Sequence, residues 1–254
     1  MYADQKQLKR ILSNSFEGII WKIELNEQHG LIAVESRISE EKKTAFSIIN
    51  FLTGEILLKD KVFEDSWNLS LAYVTKTDLI ITIYSQAEIP EFKGIISFNF
   101  YRREINWQRF NLSLNRATDE GLQVFDPKIN PRRYLWISNA SAEPIQEPNL
   151  SNFNSSSFVL PQLRDTVELP HFIRRKELVG QLSELVFPDL KILSFHEKIS
   201  DYMHQRLIVF DKDRVLIDEI LIKHIQKLQP ESFFMVGNYL FYIQNKNEIV
   251  SYLV

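Results

Sequence analysis

The sequence contains no cysteine, which excludes disulfides, thiolate zinc sites, iron–sulfur clusters and cysteine nucleophiles. Glycine is scarce, at seven residues in 254, and neither G-x-G-x-x-G nor G-x-x-x-x-G-K-[ST] occurs; a phosphate-binding glycine loop is therefore not expected. No apolar run approaches the roughly 18 residues of a membrane span. The N-terminal stretch MYADQKQLKRILSNSFEG lacks the apolar core of a secretory signal. We therefore expect a cytoplasmic protein without membrane association.

Long blocks of residues with the same sign of charge are also absent. Thirty basic and 33 acidic residues, giving a formal net charge of −3, alternate along the chain. The local cluster FIRRKE (172–177) is short and mixed in sign, which is typical of a solvated loop or strand end. We predict no nucleic-acid partner.

Short runs of apolar, β-branched and aromatic residues recur along the chain and predict strands. Five such runs follow turn-like elements: GLIAVES, DLIITIYS, RYLWISN, LKILSFHE and NYLFYIQN. They start at 30, 78, 133, 190 and 238, and are thus 48, 55, 57 and 48 residues apart. A period near 50 in a chain of strands is typical of a β-propeller blade.

We interpret these runs as the second strand, B, of successive A-B-C-D blades. Preceding runs such as IIWKIEL (19–25) supply strand A, and hairpins such as TAFSIINFLTGEILLKDKVF (44–63) supply strands C and D. In the third unit the polar stretch 139–158 separates RYLWISN from its predicted C and D strands, FVLPQLR and TVELPHFI.

The predicted fold class is therefore all-β, a β-propeller of five blades with four antiparallel strands each, forming a single domain over residues 1–254. The last unit has strands A, B and C, and then the chain stops. Since an unpaired edge favours aggregation, the N-terminal run KRILSNSF (9–16) or GIIWKIEL is expected to pair with the C-terminal strand. A ring of four or six units is the near alternative, and two packed sheets the remote one.

Two segments carry a resemblance to known proteins. They resemble degenerate repeats of quinoprotein (PQQ-type) propellers and have the sequences FSIINFLTGEILLKD and ISFNFYRREINWQ. In those repeats an apolar strand leads into a Thr-Gly turn, which is followed by a strand with a Trp. Here Thr53-Gly54 matches in one repeat and Trp107 in the other. The resemblance implies the propeller fold but no quinone enzyme. The whole chain also resembles an uncharacterised Bacteroidetes-type β-propeller family of unknown function.

Ligands of propellers usually bind on the face formed by the B–C and D–A loops. When the five predicted B strands are aligned by their apolar positions, one column turns polar: Ser36, Tyr84, Asn139, His196 and Gln244. One hydrogen-bonding side chain per blade at the same height would form a polar rim, and we predict these five as ligand-binding residues. Alternatively, the strands simply reach water at this point.

Other candidate residues are weaker. His196 and His204 flank the segment HEKISDYMH with Glu197 and Asp201, a set that could hold a metal, but an exposed loop is the favoured interpretation and no metal or other cofactor is predicted. Three acidic residues lie on predicted inner strands of different blades, as a glycosidase would require: Glu24, Asp126 and Glu184. In a chain with 33 acidic residues, such positions are also expected by chance.

The favoured function is a non-catalytic binding scaffold for a protein partner or a small polar ligand on the B–C loop face. The apolar tip Ile89-Pro90-Phe92 in a charged B–C loop would suit a protein contact. The alternative is a hydrolase acting on a sugar or similar small polar substrate, so enzymatic activity is left open.

Overall fold

A computed structural model describes residues 8–86, 89–149, 157–165, 169–174, 177–212, 214–229 and 232–254. The chain divides into two compact units. The N-terminal unit is Phe16–Ser156, and the C-terminal unit combines Ser157–Val254 with Met1–Ser15. That the whole chain forms one domain stays a prediction.

The N-terminal unit contains three antiparallel sheets of four strands, each in chain order. Strand β1 (Lys9–Ser15) belongs to the C-terminal unit. Sheet 1 comprises β2 (Ile19–Asn26), β3 (Leu31–Ile38), β4 (Lys43–Asn50) and β5 (Glu55–Val62). Sheet 2 comprises β6 (Leu69–Val74), β7 (Asp78–Gln86), β8 (Ile89–Asn99) and β9 (Glu104–Arg109). Sheet 3 comprises β10 (Ser113–Ala117), β11 (Leu122–Phe125), β12 (Tyr134–Ile137) and β13 (Pro144–Ile145).

The C-terminal unit contains two antiparallel sheets of five strands. Sheet 4 comprises β15 (Gln162–Arg164), β16 (Glu177–Phe187), β17 (Leu190–Ile199), β18 (Tyr202–Asp211) and β19 (Arg214–Ile225). Sheet 5 has the order β1 (Lys9–Ser15), β22 (Glu248–Leu253), β21 (Tyr239–Gln244), β20 (Phe233–Val236) and β14 (Phe158–Val159). The short helix α1 spans His171–Arg174. No helix in the described ranges is long and apolar enough to cross a membrane.

Apolar side chains pack between neighbouring sheets of the same unit. One buried cluster joins sheets 1 and 2 and includes Phe46, Phe98 and Phe100. Another joins sheets 4 and 5 and includes Ile192 and Tyr242. Since neighbouring sheets of one unit bury apolar residues of their strands against each other, packing between sheets explains the repeating runs of apolar residues.

The predicted fold class, an all-β propeller, is confirmed: the described residues form five antiparallel sheets, three of four strands and two of five. The predicted pairing of the chain ends is confirmed too. Strand β1 pairs antiparallel with β22 from Lys9↔Leu253 to Ser15↔Glu248, and Leu12 is buried at 4% exposure. The N-terminal strand thus supplies the strand that the last sheet lacks.

The third unit was predicted wrongly. Its first strand is β10, so RYLWISN contributes β12, the third strand of sheet 3, rather than the second. The fourth strand is β13, within the stretch interpreted as a long loop, of which residues 150–156 lie outside the described ranges. The run FVLPQLR adds β14 to sheet 5 and β15 to sheet 4, because the edges of β20 and β16 are available to pair with it.

Candidate functional site

Two of the predicted rim residues lie in the C-terminal unit: His196 is in β17, the strand that follows β16, and Gln244 is the last residue of β21, the strand that follows β20. His196 is opposite Gln205 on the β17–β18 hairpin, and both side chains are buried. The backbone N–H of Gln229 donates to Nε2 of His196 over 3.1 Å, and Nε2 of Gln205 donates to the carbonyl of Gln229. The pair therefore fixes both backbone groups of one residue in the connection between sheets 4 and 5.

The protonation state of His196 follows from these contacts. An Nε2 that accepts a hydrogen bond carries no proton, so the neutral ring is protonated at Nδ1. Burial lowers the pKa of His196 from its usual value because it disfavours the charged ring. The Nδ1 atom is buried and has no hydrogen-bond partner among the described residues. His196 is therefore a neutral acceptor that holds the connection in place.

Gln244 similarly holds the neighbouring B–C turn, the one between β21 and β22, through hydrogen bonds of its side chain. Its Nε2 donates to the carbonyl of Ile220 over 3.1 Å and to Oε2 of Glu219 over 3.4 Å. The next residue, Asn245, donates its backbone N–H to the carbonyl of Leu221 over 2.8 Å. Asn245 and Lys246 are both left-handed, with φ of 52° and 66°, which is the conformation of a tight hairpin turn. These bonds tie the turn between β21 and β22 to β19.

Strand β19 carries a bulge beside this turn. Its register against β18 shifts between the Met203↔Ile225 and Gln205↔Ile222 pairs, and His224 in the bulge has a φ of 53°. The His224 ring contacts the rings of Tyr202 and His204, with centroids 4.5 Å and 5.2 Å away. Bulges and left-handed non-glycine residues are enriched at functional sites, where they redirect side chains.

A groove of about 510 Å³ lies between the bulge, the connection and the turn, lined by residues 222–227, Gln229, Asn245 and Lys246. We call it the lysine groove, because Lys223, Lys227 and Lys246 line it and none of the other described residues of its lining is acidic. Within the described part of the chain, none of the three ammonium groups makes an ion pair. The groove lies where B–C and D–A loops meet, on the face predicted for binding.

The remaining predicted rim residues lie in the N-terminal unit. Ser36 is buried near the end of β3, and Tyr84 is half-buried near the end of β7. Asn139 follows the third strand of its sheet, so it does not share their register, and the prediction that it ends a second strand is wrong. Whether these side chains bind a ligand stays a prediction.

Asn139 instead joins sheets 2 and 3. Its side-chain Nδ2 donates to the carbonyls of Thr118 and Asp119, both over 2.9 Å. Its backbone carbonyl accepts from Nε1 of Trp107 and from Oγ of Ser97, each over 2.8 Å. These contacts with backbone groups give Asn139 a structural role. The hydrogen bond from Trp107 also shows that the Trp107 side chain lies in the core.

A buried ion pair next to Ser36 joins sheets 1 and 2. The carboxylate of Glu35 is fully buried and accepts from Arg37 at 2.8 Å, from Oγ of Ser70 at 3.1 Å and from the backbone N–H of Leu71 at 2.8 Å. The Arg37 guanidinium also lies 4.7 Å from the ring centre of Trp21 and 5.4 Å from that of Trp67. Both carboxylate oxygens of Glu35 are thus engaged within the protein.

The two histidines considered for a metal project from opposite faces of sheet 4. His196 is opposite Gln205, whereas His204 is opposite Glu197, the residue after His196. Since successive residues of a strand point to opposite faces, the two imidazoles cannot meet on one ion. The described residues contain no group of three or more His, Asp or Glu side chains suited to a metal.

The three carboxylates considered for hydrolysis are engaged locally. Glu24 forms an ion pair with Lys22 at 3.0 Å, and Glu184 forms one with Lys191 at 3.2 Å. Asp126 accepts from the backbone N–H of Lys128 at 2.9 Å. Glu24 and Asp126 belong to the N-terminal unit and Glu184 to the C-terminal unit.

His196 and Gln244, which hold the walls of the lysine groove, were predicted from the sequence as site residues. The three lysines of the groove were not predicted. The signal was the cluster IKHIQK (222–227) at the end of one strand and NKN (245–247) at a B–C turn. The proposed protein-contact tip Ile89-Pro90-Phe92 belongs to β8, but its side chains lie outside the described residues.

Comparison with known proteins gives a family match and distant structural likenesses. Residues 25–107 match the model of a domain of unknown function, DUF4905, which confirms the prediction of an uncharacterised family. No curated protein sequence matches the chain. The resemblance to quinoprotein-type repeats stays a prediction.

Several solved structures, among them a β-propeller domain, are similar to this chain. BamB from Moraxella catarrhalis is 8% identical, with a TM-score of 0.35 and coverage of 93% of this chain and 85% of that one. The β-propeller domain of the Trilobed protease from Pyrococcus furiosus is 10% identical, with a TM-score of 0.34 and coverage of 92% and 78%. Acylaminoacyl peptidase from Pyrococcus horikoshii is 11% identical, with a TM-score of 0.32 and coverage of 89% and 35%. At these identities and scores the likeness carries no argument about function.

Proposed function

We propose that the protein is a non-catalytic binding scaffold and that the lysine groove takes a small ligand bearing phosphate or carboxylate groups. The observation that carries the proposal is the set Lys223, Lys227 and Lys246, which line one groove that has no carboxylate among its described lining residues. In a chain with a formal net charge of −3, such a local excess of positive charge attracts anions selectively.

The size of the groove supports a small ligand. Its volume of about 510 Å³ falls within the roughly 300–1,000 Å³ typical of small-molecule sites. Lysine ammonium groups are compact point charges that bind phosphate and carboxylate oxygens. Asn245 and Gln229 in the lining add polar side chains that can orient such a ligand.

The walls of the groove are held rigidly, as a preorganised site requires. His196 and Gln205 fix the backbone of Gln229, two residues after Lys227. Gln244 and the backbone of Asn245 fix the turn that carries Lys246. We therefore infer that His196 and Gln244 belong to the binding site as residues that position the lysines. Neither of them contacts the ligand directly.

The hydrolase alternative is not proposed. Glu24 and Glu184, two of its three carboxylates, are held in ion pairs with lysines of their own sheets. A glycosidase needs two carboxylates that are free to flank one scissile bond, whereas these ion pairs hold each carboxylate against its own sheet.

A thermal-shift titration with pyrophosphate and with citrate tests the proposal. A ligand at a hundred times its Kd stabilises the folded state by about 2.7 kcal/mol, which raises the Tm by a few degrees for a chain of this length. We expect one of the two anions to raise the Tm of the wild type, and the double variant K227E/K246E to lose the shift. Lys128→Glu, an exposed lysine of the N-terminal unit, serves as the matched control and should keep it.

Two results would argue against the proposal. An equal shift in K227E/K246E and in the wild type would mean that the anions act elsewhere or through ionic strength. No shift with either anion at millimolar concentration would remove the small-anion ligand and leave a protein partner as the remaining kind of binding.

A further inference from the structure

The segment 157–165 lies along the outer edges of two strands in the C-terminal unit. Its first part, β14, extends sheet 5 through the Phe158↔Val236 and Val159↔Met235 pairs. Its second part, β15, extends sheet 4 from Gln162↔Glu184 to Arg164↔Leu182. One extended stretch thus covers the edges of both β20 and β16, strands that belong to different sheets.

Backbone pairing rather than side-chain burial holds this segment. Phe158, Val159, Leu160 and Leu163 are exposed by 40–52% although they are apolar. By contrast β1, at the opposite edge of sheet 5, pairs over six residues and buries Leu12. A weakly buried strand added to a sheet edge is the arrangement by which many domains bind extended peptides.

Three side-chain contacts give the edge its specificity. The Phe158 ring packs on Phe234 with centroids 5.2 Å apart, and Phe234 stacks on Phe241 at 5.0 Å. Six residues further on, Arg164 lies 3.6 Å from the carboxylate of Glu184. An aromatic contact at one end and an ion pair at the other define the spacing that a competing segment must match.

We propose that the edges of β20 and β16 form a site for an extended peptide, which the segment 157–165 occupies within its own chain. The partner is a protein segment with an aromatic residue that packs on Phe234 and a basic residue six positions later that pairs with Glu184. Such a segment replaces β14 and β15 strand for strand. The site is separate from the lysine groove and does not depend on the anion ligand.

The test uses the labelled peptide SFVLPQLRD, the sequence of residues 157–165, and fluorescence anisotropy. In one variant a glycine–serine linker of equal length replaces residues 158–164. Because a covalently attached segment competes at high effective concentration, we expect the linker variant to bind the peptide at least about ten-fold more tightly than the wild type does. A peptide with F158A and R164E should not bind to the linker variant.

A second variant covers the case in which the linker variant does not fold. Arg164→Glu in the full chain replaces the ion pair with a repulsion at an exposed position, and should also raise the affinity for the wild-type peptide. The proposal is overturned if the folded linker variant fails to bind the peptide, if it binds the doubly substituted peptide equally well, or if R164E leaves peptide affinity at the wild-type value.

Discussion

Individual polar side chains hold the connections of this protein by bonding to backbone groups far away in the sequence. His196 and Gln205 hold Gln229, and Asn139 holds Thr118 and Asp119. His196, Asn139 and Gln244 stand out in the sequence because a column of apolar residues turns polar there. Their structural roles do not follow from the sequence, since the Gln229 partner of His196 is 33 residues away and no periodic pattern marks it.

The lowered pKa of His196 predicts a pH dependence of stability. Burial keeps the pKa in the folded state below that of the unfolded chain, so the unfolded state binds more protons as the pH falls. The contribution to stability is present above pH 6.5, the usual value for histidine, and is lost as the pH falls through the folded-state pKa. For one proton the slope cannot exceed about 1.4 kcal/mol per pH unit.

Urea unfolding between pH 5 and pH 8 measures this effect. We expect His196→Gln to be less pH-dependent than the wild type, because the substituted side chain does not titrate. His29→Gln is a control at a half-buried histidine of the N-terminal unit. If the wild type and H196Q lose stability in parallel below pH 6.5, His196 is not the group responsible.

Glu35 predicts a large loss of stability when it is removed. Glu35→Ala leaves the Arg37 guanidinium without its carboxylate and the Leu71 N–H without its acceptor. Breaking a buried ion pair in this way destabilises by about 3–5 kcal/mol, and the upper part of that range is not expected because the Arg37 side chain is 16% exposed. Chemical unfolding should show a loss of about 3 kcal/mol, and Glu35→Gln should lose less.

The control for this prediction is Glu104→Ala. Glu104 pairs with Arg102, but both side chains are more than half exposed, and exposed pairs contribute little. A loss in E35A no larger than that in E104A would show that the network of Glu35 does not join sheets 1 and 2 as described.

At the scale of elements, the strands and hairpins of sheets 1, 2 and 4 could be predicted from the alternation of apolar residues and from the turn residues. Sheet 3 could not, because its strongest apolar run, RYLWISN, forms its third strand and not its second. A signal was present: SLAYVTKTDL and SLNRATDEGL match at the β6–β7 and β10–β11 hairpins. In both, a threonine N–H donates to the carbonyl three residues later, from Thr75 to Asp78 and from Thr118 to Gly121. Strand β10 is too polar for hydrophobicity to reveal it.

The terminal strand predicts a second stability effect. Leu12 is the buried apolar residue of β1, with 4% of its side chain exposed, and Leu12→Ala should destabilise by about 2–5 kcal/mol. The substitution also weakens the strand that covers the edge of β22, so aggregation should increase. Urea unfolding combined with light scattering measures both.

Lys9→Ala is the control for Leu12, since Lys9 lies on the same strand and is exposed. It should leave both quantities near their wild-type values. Equal behaviour of L12A and K9A would contradict the account of β1 as the strand that completes sheet 5.

At the scale of the whole molecule, the fold class was predicted correctly from the sequence, and binding on the B–C loop face stays a prediction. The positive charge of the groove on that face was not predicted. Net charge and composition average over the chain, whereas Lys223, Lys227 and Lys246 come together only through a bulge and two anchored connections. Three like charges around one groove repel each other. Without ligand, K227E/K246E should therefore unfold within about 0.5 kcal/mol of the wild type or be more stable, as urea unfolding would show. A large loss of stability would mean that the lysines are structural.

The central claim, that the lysine groove binds small anions, is tested most directly by a ¹H–¹⁵N NMR titration with pyrophosphate at fixed ionic strength. We expect saturable shifts confined to the amides of residues 222–229 and 245–247, and no shift at exposed lysines of the N-terminal unit such as Lys59 and Lys128. Shifts of equal size at those lysines, or none in the groove at saturating pyrophosphate, would contradict it.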